Sequence, residues 1–263
     1  MKKHEAIDHG KPYNWGNASK DYANFRDIYP ENLFDKLHAL DIGKSGQLIV
    51  DLGTGTGILP RYLNKYGASF IGVDISKEQI EQAKRLSEGN NKMEWINAPA
   101  ENTGLSSAIA DVVMACQCFI YLDKEKVIPE ILRIMKPSGI FVRISMIWLP
   151  YEDDIVKKTE DMILNYNPDW TGAKFQRIHL QVPEWSKDCF EPVMLYIYDT
   201  DIPFTQESWR GRIRACRGMG ASSLSDDKKR QFDNELKVYL VENQPEKFTV
   251  LHQILIEVYK QKI

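Results

Sequence analysis

Residues 49–57, Ile49-Val50-Asp51-Leu52-Gly53-Thr54-Gly55-Thr56-Gly57, decide how this chain folds. An apolar run that closes on an acid and then breaks into alternating glycines reads as a buried strand delivering a tight loop into a helix. At such a junction backbone N–H groups and the positive end of the helix can approach a ligand. The register narrows the choice. A dinucleotide loop of the form G-x-G-x-x-G needs glycine where Ile58 stands, whereas the glycines here fall at 53, 55 and 57. No Gly-Lys-Ser or Gly-Lys-Thr follows, which excludes a phosphate loop.

Outward from this loop, apolar runs at 47–52, 69–74, 93–97, 110–116 and 139–148 alternate with helical patterns at 57–66, 77–88 and 124–136. That alternation predicts an α/β fold with a mostly parallel sheet. Upstream, residues 12–45 read as a helical segment, with Ser19 capping a helix through Ile28 and Pro30 in the first turn of a second helix ending near Gly43. Beyond Pro150 the pattern predicts a charged helix, an aromatic-rich strand near 192–199, long helices between 206 and 243, and a last strand near 248–259.

Bulk properties exclude more than they select. The 263 residues suffice for one well-buried α/β domain, or at most two small ones. A net charge of −3 with interspersed signs gives no reason to invoke a nucleic-acid or membrane surface. Neither a membrane-length apolar run nor a signal-peptide core is present, so a cytoplasmic setting is expected. Four cysteines in such a chain do not make a disulfide framework. Cys116-x-Cys118 has no partner pair at ligand spacing, so no metal site is expected.

Further chemistry follows the loop in order. Phe70-Ile71-Gly72-Val73-Asp74 is a second strand closing on an acid, 23 residues after Asp51. In nucleotide-binding sheets a carboxylate at this place accepts hydrogen bonds from two ribose hydroxyls, although Asp74 could equally cap the helix starting near Ser76. Asn97-Ala98-Pro99-Ala100-Glu101 follows the third strand, and Asp111 to Gln117 carries Cys116 and Gln117 to the sheet's C-terminal edge, where ligands of such sheets bind.

An acid followed by G-x-G-x-G, then the strand-end acid and the Ala-Glu pair, resembles the class I S-adenosylmethionine-dependent methyltransferases. The resemblance implies a Rossmann-like α/β domain with a mostly parallel seven-stranded sheet flanked by helices. It also implies an N-terminal helical segment and a helical C-terminal insert. One domain over 1–263 is expected, with the cofactor core at 47–146, a cover at 12–45 and a substrate lid at 149–263. The cofactor implied is S-adenosylmethionine, with S-adenosylhomocysteine as product. Its expected contacts are Asp51, Gly53, Thr54, Gly55, Thr56, Gly57, Asp74, Ile75, Ala100, Glu101, Cys116 and Gln117. Ala100 and Glu101 would lie against the adenine.

Tyr22-Ala23-Asn24-Phe25-Arg26-Asp27-Ile28-Tyr29-Pro30 is similar to the Y-x-x-x-R-P-x-Y-P element of small-molecule enzymes of the trans-aconitate and ubiquinone-pathway branch, with Asp27 in place of the first proline. That adds Tyr22 and Arg26 to the cofactor contacts, with Arg26 paired either to the cofactor carboxylate or to Asp21 or Asp27. Where related enzymes show Q-x-F-H-W, Ile120 replaces the histidine, so no histidine base is expected there. No catalytic residue is assigned; Tyr22, Gln117 and His179 are the candidates.

In Trp209-Arg210-Gly211-Arg212-Ile213-Arg214-Ala215-Cys216-Arg217, a helix places Arg210, Arg214 and Arg217 on one stripe and turns Arg212 elsewhere. The stripe suits a carboxylate or phosphate, so Gln117, Tyr121, Trp209, Arg210, Arg214 and Arg217 are the substrate candidates. The alternative is pairing with Glu207, Asp226 or Asp227. Gly211 inside this helix implies close packing against something, and Gly218 and Gly220 are expected in left-handed conformations.

The function expected is methyl transfer by in-line displacement to a small, anionic molecule, by a monomer or homodimer without membrane contact. A nucleic-acid methyltransferase, or a cofactor-binding protein without transferase activity, are the alternatives. The first is disfavoured because no Asn-Pro-Pro-Tyr-type element occurs around Ala115 to Tyr121.

Overall fold

The apolar runs become strands and the amphipathic stretches become helices, in the order the periodicity predicts. The computed structural model describes residues 6–262. Its helices are α1 (Ser19–Phe25), α2 (Glu31–Ala39), α3 (Ile58–Leu63), α4 (Lys77–Leu86), α5 (Lys124–Ile134), α6 (Asp154–Tyr166), α7 (Gln206–Arg214) and α8 (Asp226–Asn243). Its strands are β1 (Leu48–Leu52), β2 (Ser69–Asp74), β3 (Met93–Asn97), β4 (Ala110–Cys116), β5 (Met135–Trp148), β6 (Phe190–Thr205) and β7 (Lys247–Gln261). They form one seven-stranded sheet in the order β3-β2-β1-β4-β5-β7-β6, mostly parallel with one antiparallel hairpin.

β1 is central and apolar because a parallel strand covered on both faces must be apolar throughout. Ile49, Val50 and Leu52 are fully buried, and β1 pairs in parallel with β2 and β4 so that Asp51 lies beside Gly72 and Met114. Parallel β2–β3 and β4–β5 pairings complete the run.

The chain divides into two compact units. One comprises 30–146, 179–198 and the residues from Ile254 onward, and contains the cofactor core expected at 47–146. Its apolar centre gathers Val50, Val73, Val113, Phe141, Phe190 and Tyr259. The other comprises the residues up to Tyr29, 147–178 and 199–253, with a core built on Trp148, Ile163, Phe204, Trp209, Phe232 and Leu240. The N-terminal segment expected as one cover over 12–45 is thus divided at Tyr29, and the region expected as a lid at 149–263 contributes to both units.

Several local expectations need correction. Ser19 is the first residue of α1, whose N-cap is Ala18 without a side-chain bond, and the helix stops at Phe25. Pro30 is the N-cap of α2 with extended backbone, φ −70° and ψ 148°, and that helix ends at Ala39. Ser76, rather than Asp74, is the N-cap of α4, and Ser225 is the N-cap of α8.

Gly211 packs as expected: a Cβ there would lie 2.2 Å from the Phe25 ring, so α7 and α1 meet where only hydrogen fits. Gly218 and Gly220 are not left-handed. Close approach explains Gly220, where a Cβ would fall 1.7 Å from the carbonyl oxygen of Arg214.

Candidate functional site

The glycine loop emerges from β1 in the unit that contains the strand ends. Gly53, Gly55 and Gly57 all have positive φ, 63°, 58° and 74°, which a side chain resists. The loop is held from both sides. Thr54 N donates to the carbonyl of Val73 at 3.0 Å, and Gly57 N to that of Thr54 at 3.0 Å. Beneath it lies Trp95 of β3, anchored by its Nε1 donating to Ser87 Oγ at 2.9 Å. A Cβ on Gly57 would sit 2.2 Å from the Trp95 ring. Trp95 escaped the sequence reading because it reaches the loop from β3, two strands from β1 in the sheet.

Asp74 ends β2, as predicted. One carboxylate oxygen accepts from Gly55 N at 2.9 Å, the other from Ser76 N at 2.8 Å. It therefore ties the loop to the start of α4, and the turn beyond it is clamped by Asn97 Nδ2, which donates to the carbonyls of Asp74 and Ile75. An ionised carboxylate offers about four lone-pair sites, so two backbone donors leave acceptor capacity for hydroxyl groups. Ile75 follows with an uncovered apolar side chain, 46% exposed.

Asp51 is fully enclosed, accepts from Thr54 Oγ1 at 2.6 Å, and is pushed up to about 7 by burial. The hydroxyl bond opposes that rise and the nearby Asp74 charge adds to it. The unfolded chain would release this proton near 3.8, so ionisation works against the fold. The penalty is absent below about pH 4, accrues as pH rises toward 7 and is complete above it. Asp51→Asn is therefore expected to unfold at higher denaturant than wild type at pH 8, by at most about 4 kcal/mol. That gain should vanish toward pH 4; a gain independent of pH would show that Asp51 does not titrate in this way.

Ala100 is buried, and Glu101 Oε1 accepts from Asp123 N at 3.1 Å, at the start of α5. Cys116 closes β4 and Gln117 has a left-handed backbone with φ 59°. Its Nε2 donates to the Met146 carbonyl, so this amide holds the β4 edge to β5. Cys118 Sγ donates to the Leu52 carbonyl at 3.0 Å and stands where a Cβ on Gly53 would be, and burial raises its thiol well above the ordinary range. Tyr121 is half-buried in the short turn after β4, and His179 is exposed in a loop.

The other sequence candidates lie in the second unit. Tyr22 and Arg26 are together, with Arg26 Cζ 5.8 Å from the Tyr22 ring and Arg26 buried. The arginine stripe does not form, because α7 ends at Arg214 and Arg217 lies beyond it. Arg210 pairs with Glu207 at 2.7 Å and with Asp233, and Arg214 pairs with Glu207, Asp233 and Asp21. Arg217 pairs with Asp8. The partners are thus Glu207, as weighed, and Asp233, Asp21 and Asp8, which long-range folding brings in; Asp226 and Asp227 are not among these pairs. Trp209 is fully buried with Nε1 donating to Thr159 Oγ1 at 3.1 Å, which makes it core.

A family model described as a methyltransferase domain matches residues 50–143. An uncharacterized methyltransferase-like protein of Schizosaccharomyces pombe is 24% identical over 155 residues, 57% of this chain and 57% of the relative. The ubiquinone biosynthesis O-methyltransferase of Vibrio campbellii is 30% identical over 128 residues, 48% of this chain and 54% of that protein. The chain thus spans little more than half the length of the curated relatives it matches. The solved structure of YcgJ from Bacillus subtilis aligns with a TM-score of 0.54 at 18% identity, covering 89% of this chain and 100% of that one, a likeness of fold. Sheet order and glycine loop together define a class I, Rossmann-like methyltransferase fold. The stretch matched, residues 50–143, is thus similar to the methyltransferase domains of that class. No helix among the described residues is long and apolar enough to cross a membrane.

Proposed function

We propose that this protein transfers the methyl group of S-adenosylmethionine to a small molecule that carries an anionic group. The observation that carries the reading is the tie between Gly55 and Asp74, which fixes a loop of three left-handed glycines against a strand-end carboxylate. The residues present suit the cofactor: Thr56 Oγ1 is buried in this loop without a hydrogen-bond partner, and the Asp74 carboxylate closes the strand beside it.

Asp74 would accept from the ribose hydroxyls, Ile75 would offer its apolar face to the adenine, and the Gly53–Gly57 backbone admits close approach where side chains would obstruct it. When bound, the cofactor supplies a methyl group already activated on a sulfonium. What this chain adds is orientation and exclusion of water, worth up to about 7–11 kcal/mol where the reactants are well aligned. A carboxylate acceptor is nucleophilic as it stands and needs no base. That suits Gln117, whose amide is occupied by Met146, and Ile120, which stands where related enzymes carry histidine. The O-methyltransferase name of the Vibrio relative supports an oxygen acceptor.

Isothermal titration of S-adenosylhomocysteine into the protein tests the reading. Saturable binding at one site per chain is expected, and no binding up to millimolar ligand would overturn it.

A further inference from the structure

The arginines of Arg210-Gly211-Arg212-Ile213-Arg214-Ala215-Cys216-Arg217 are of two kinds. Arg210, Arg214 and Arg217 are neutralised by the aspartates and glutamate already described. Arg212 is not. It keeps 9% of its surface exposed, its Nε is buried without a hydrogen-bond partner, and among the described residues no carboxylate pairs with it. Its guanidinium lies 4.9 Å over the Trp148 ring.

The neighbouring charge is a second cation. Arg26, also buried, is flanked by the rings of Tyr22 and Tyr29, with centroids 5.8 and 6.0 Å away, and its charge acts unfavourably on Arg212. Burial first and Arg26 second push the Arg212 guanidinium down to about 9. The same field reaches His252, which burial and then both arginines push down to about 3, so this imidazole is neutral. Its Nδ1 contacts the Val250 carbonyl at 2.9 Å, while its Nε2 is buried with no partner. A buried cation with a like charge beside it and unfilled polar atoms around it is costly in a fold unless something of opposite sign joins it.

We propose that Arg212, with Arg26 beside it, is a receptor for the carboxylate or phosphate of a small molecule. The planar guanidinium fork suits two parallel hydrogen bonds to either oxyanion. A charge this nearly buried suits one end of a small molecule. A polyanion would instead need an exposed basic stripe, and the flanking arginines are neutralised. That an anion binds here does not depend on the methyltransferase reading.

The test follows thermal unfolding and calorimetric binding of the full chain with sodium phosphate and sodium succinate, against sodium chloride at matched ionic strength. Wild type is expected to show saturable stabilisation by at least one of the two. Arg212→Gln should bind that anion at least tenfold more weakly, while melting no lower than wild type without it, because an uncompensated charge is removed. Arg212→Lys keeps the charge without the fork; its expected intermediate affinity decides the matter if the glutamine variant does not fold. Stabilisation no larger than that by chloride, or equal affinity in wild type and the variants, overturns the proposal. S-adenosylhomocysteine is titrated into the same proteins. Equal affinity in wild type and Arg212→Gln supports an anion site separate from that of the cofactor. A loss matching the anion loss assigns Arg212 to the cofactor's own carboxylate and overturns it. Failure of wild type to bind S-adenosylhomocysteine would remove the methyltransferase reading while leaving the anion result standing.

Discussion

Asp74→Ala is expected to weaken S-adenosylhomocysteine binding by about 100-fold, from the loss of two hydrogen bonds to a charged acceptor at about 1.5–3 kcal/mol each, partly offset by water. The substitution also frees Gly55 N and Ser76 N, which lose their common acceptor. The loop loosens as well, so the effect should exceed that of removing a ligand contact alone. Asp74→Asn separates the two contributions. Its amide oxygen can still accept from one backbone N–H but carries no charge, so an intermediate affinity is expected, with thermal stability closer to wild type. Calorimetry across the three proteins checks this, and equal affinity in all three would remove Asp74 from the cofactor site.

Gly57→Ala is expected to be the more damaging change to the fold. Two costs coincide at one atom. A residue with a Cβ at φ 74° pays about 1–2 kcal/mol for the left-handed backbone. A Cβ 2.2 Å from the Trp95 ring adds an overpacking cost of about 1–3 kcal/mol. A total destabilisation near 3–4 kcal/mol is expected by chemical denaturation, with cofactor binding lost because the loop must shift. The double substitution Gly57→Ala, Trp95→Leu should recover the overpacking share and leave the backbone share. If the tryptophan change recovers nothing, the strain lies wholly in the backbone and Trp95 is not the floor of the loop.

Legibility from sequence followed the range of the interactions. The Ile49–Gly57 junction and the close of β2 on Asp74 were readable because strand and turn signals act within a few residues. Gly211 was readable as a contact but not as a contact with Phe25. What could not be read were charges satisfied across the fold. Arg217 looked like the third member of a helical stripe, yet α7 ends three residues earlier and the side chain pairs with Asp8, far upstream. Arg214 likewise finds Asp21 and Asp233. The wheel that set Arg212 apart from its neighbours was right about direction and silent about consequence, since only the fold shows that the odd arginine is the one left without a carboxylate. Trp95 was invisible for the same reason, being two strands away in the sheet from the one that delivers the loop it supports.

The division of the chain carries a consequence for biosynthesis. The polypeptide passes from one unit to the other after Tyr29, Met146, Ile178, Tyr198 and Gln253, so neither unit is a continuous stretch. The strand-rich unit takes its last strand from residues beyond Ile254, and Tyr259 there is fully buried in its core. A ribosome-bound chain therefore cannot finish either unit before its final strand is made, and pairings this distant in sequence close slowly. Translation intermediates of this protein should expose the β5 edge that pairs with β7 from the completion of β5 until β7 is made, which makes the growing chain, rather than the finished one, the form most dependent on chaperones.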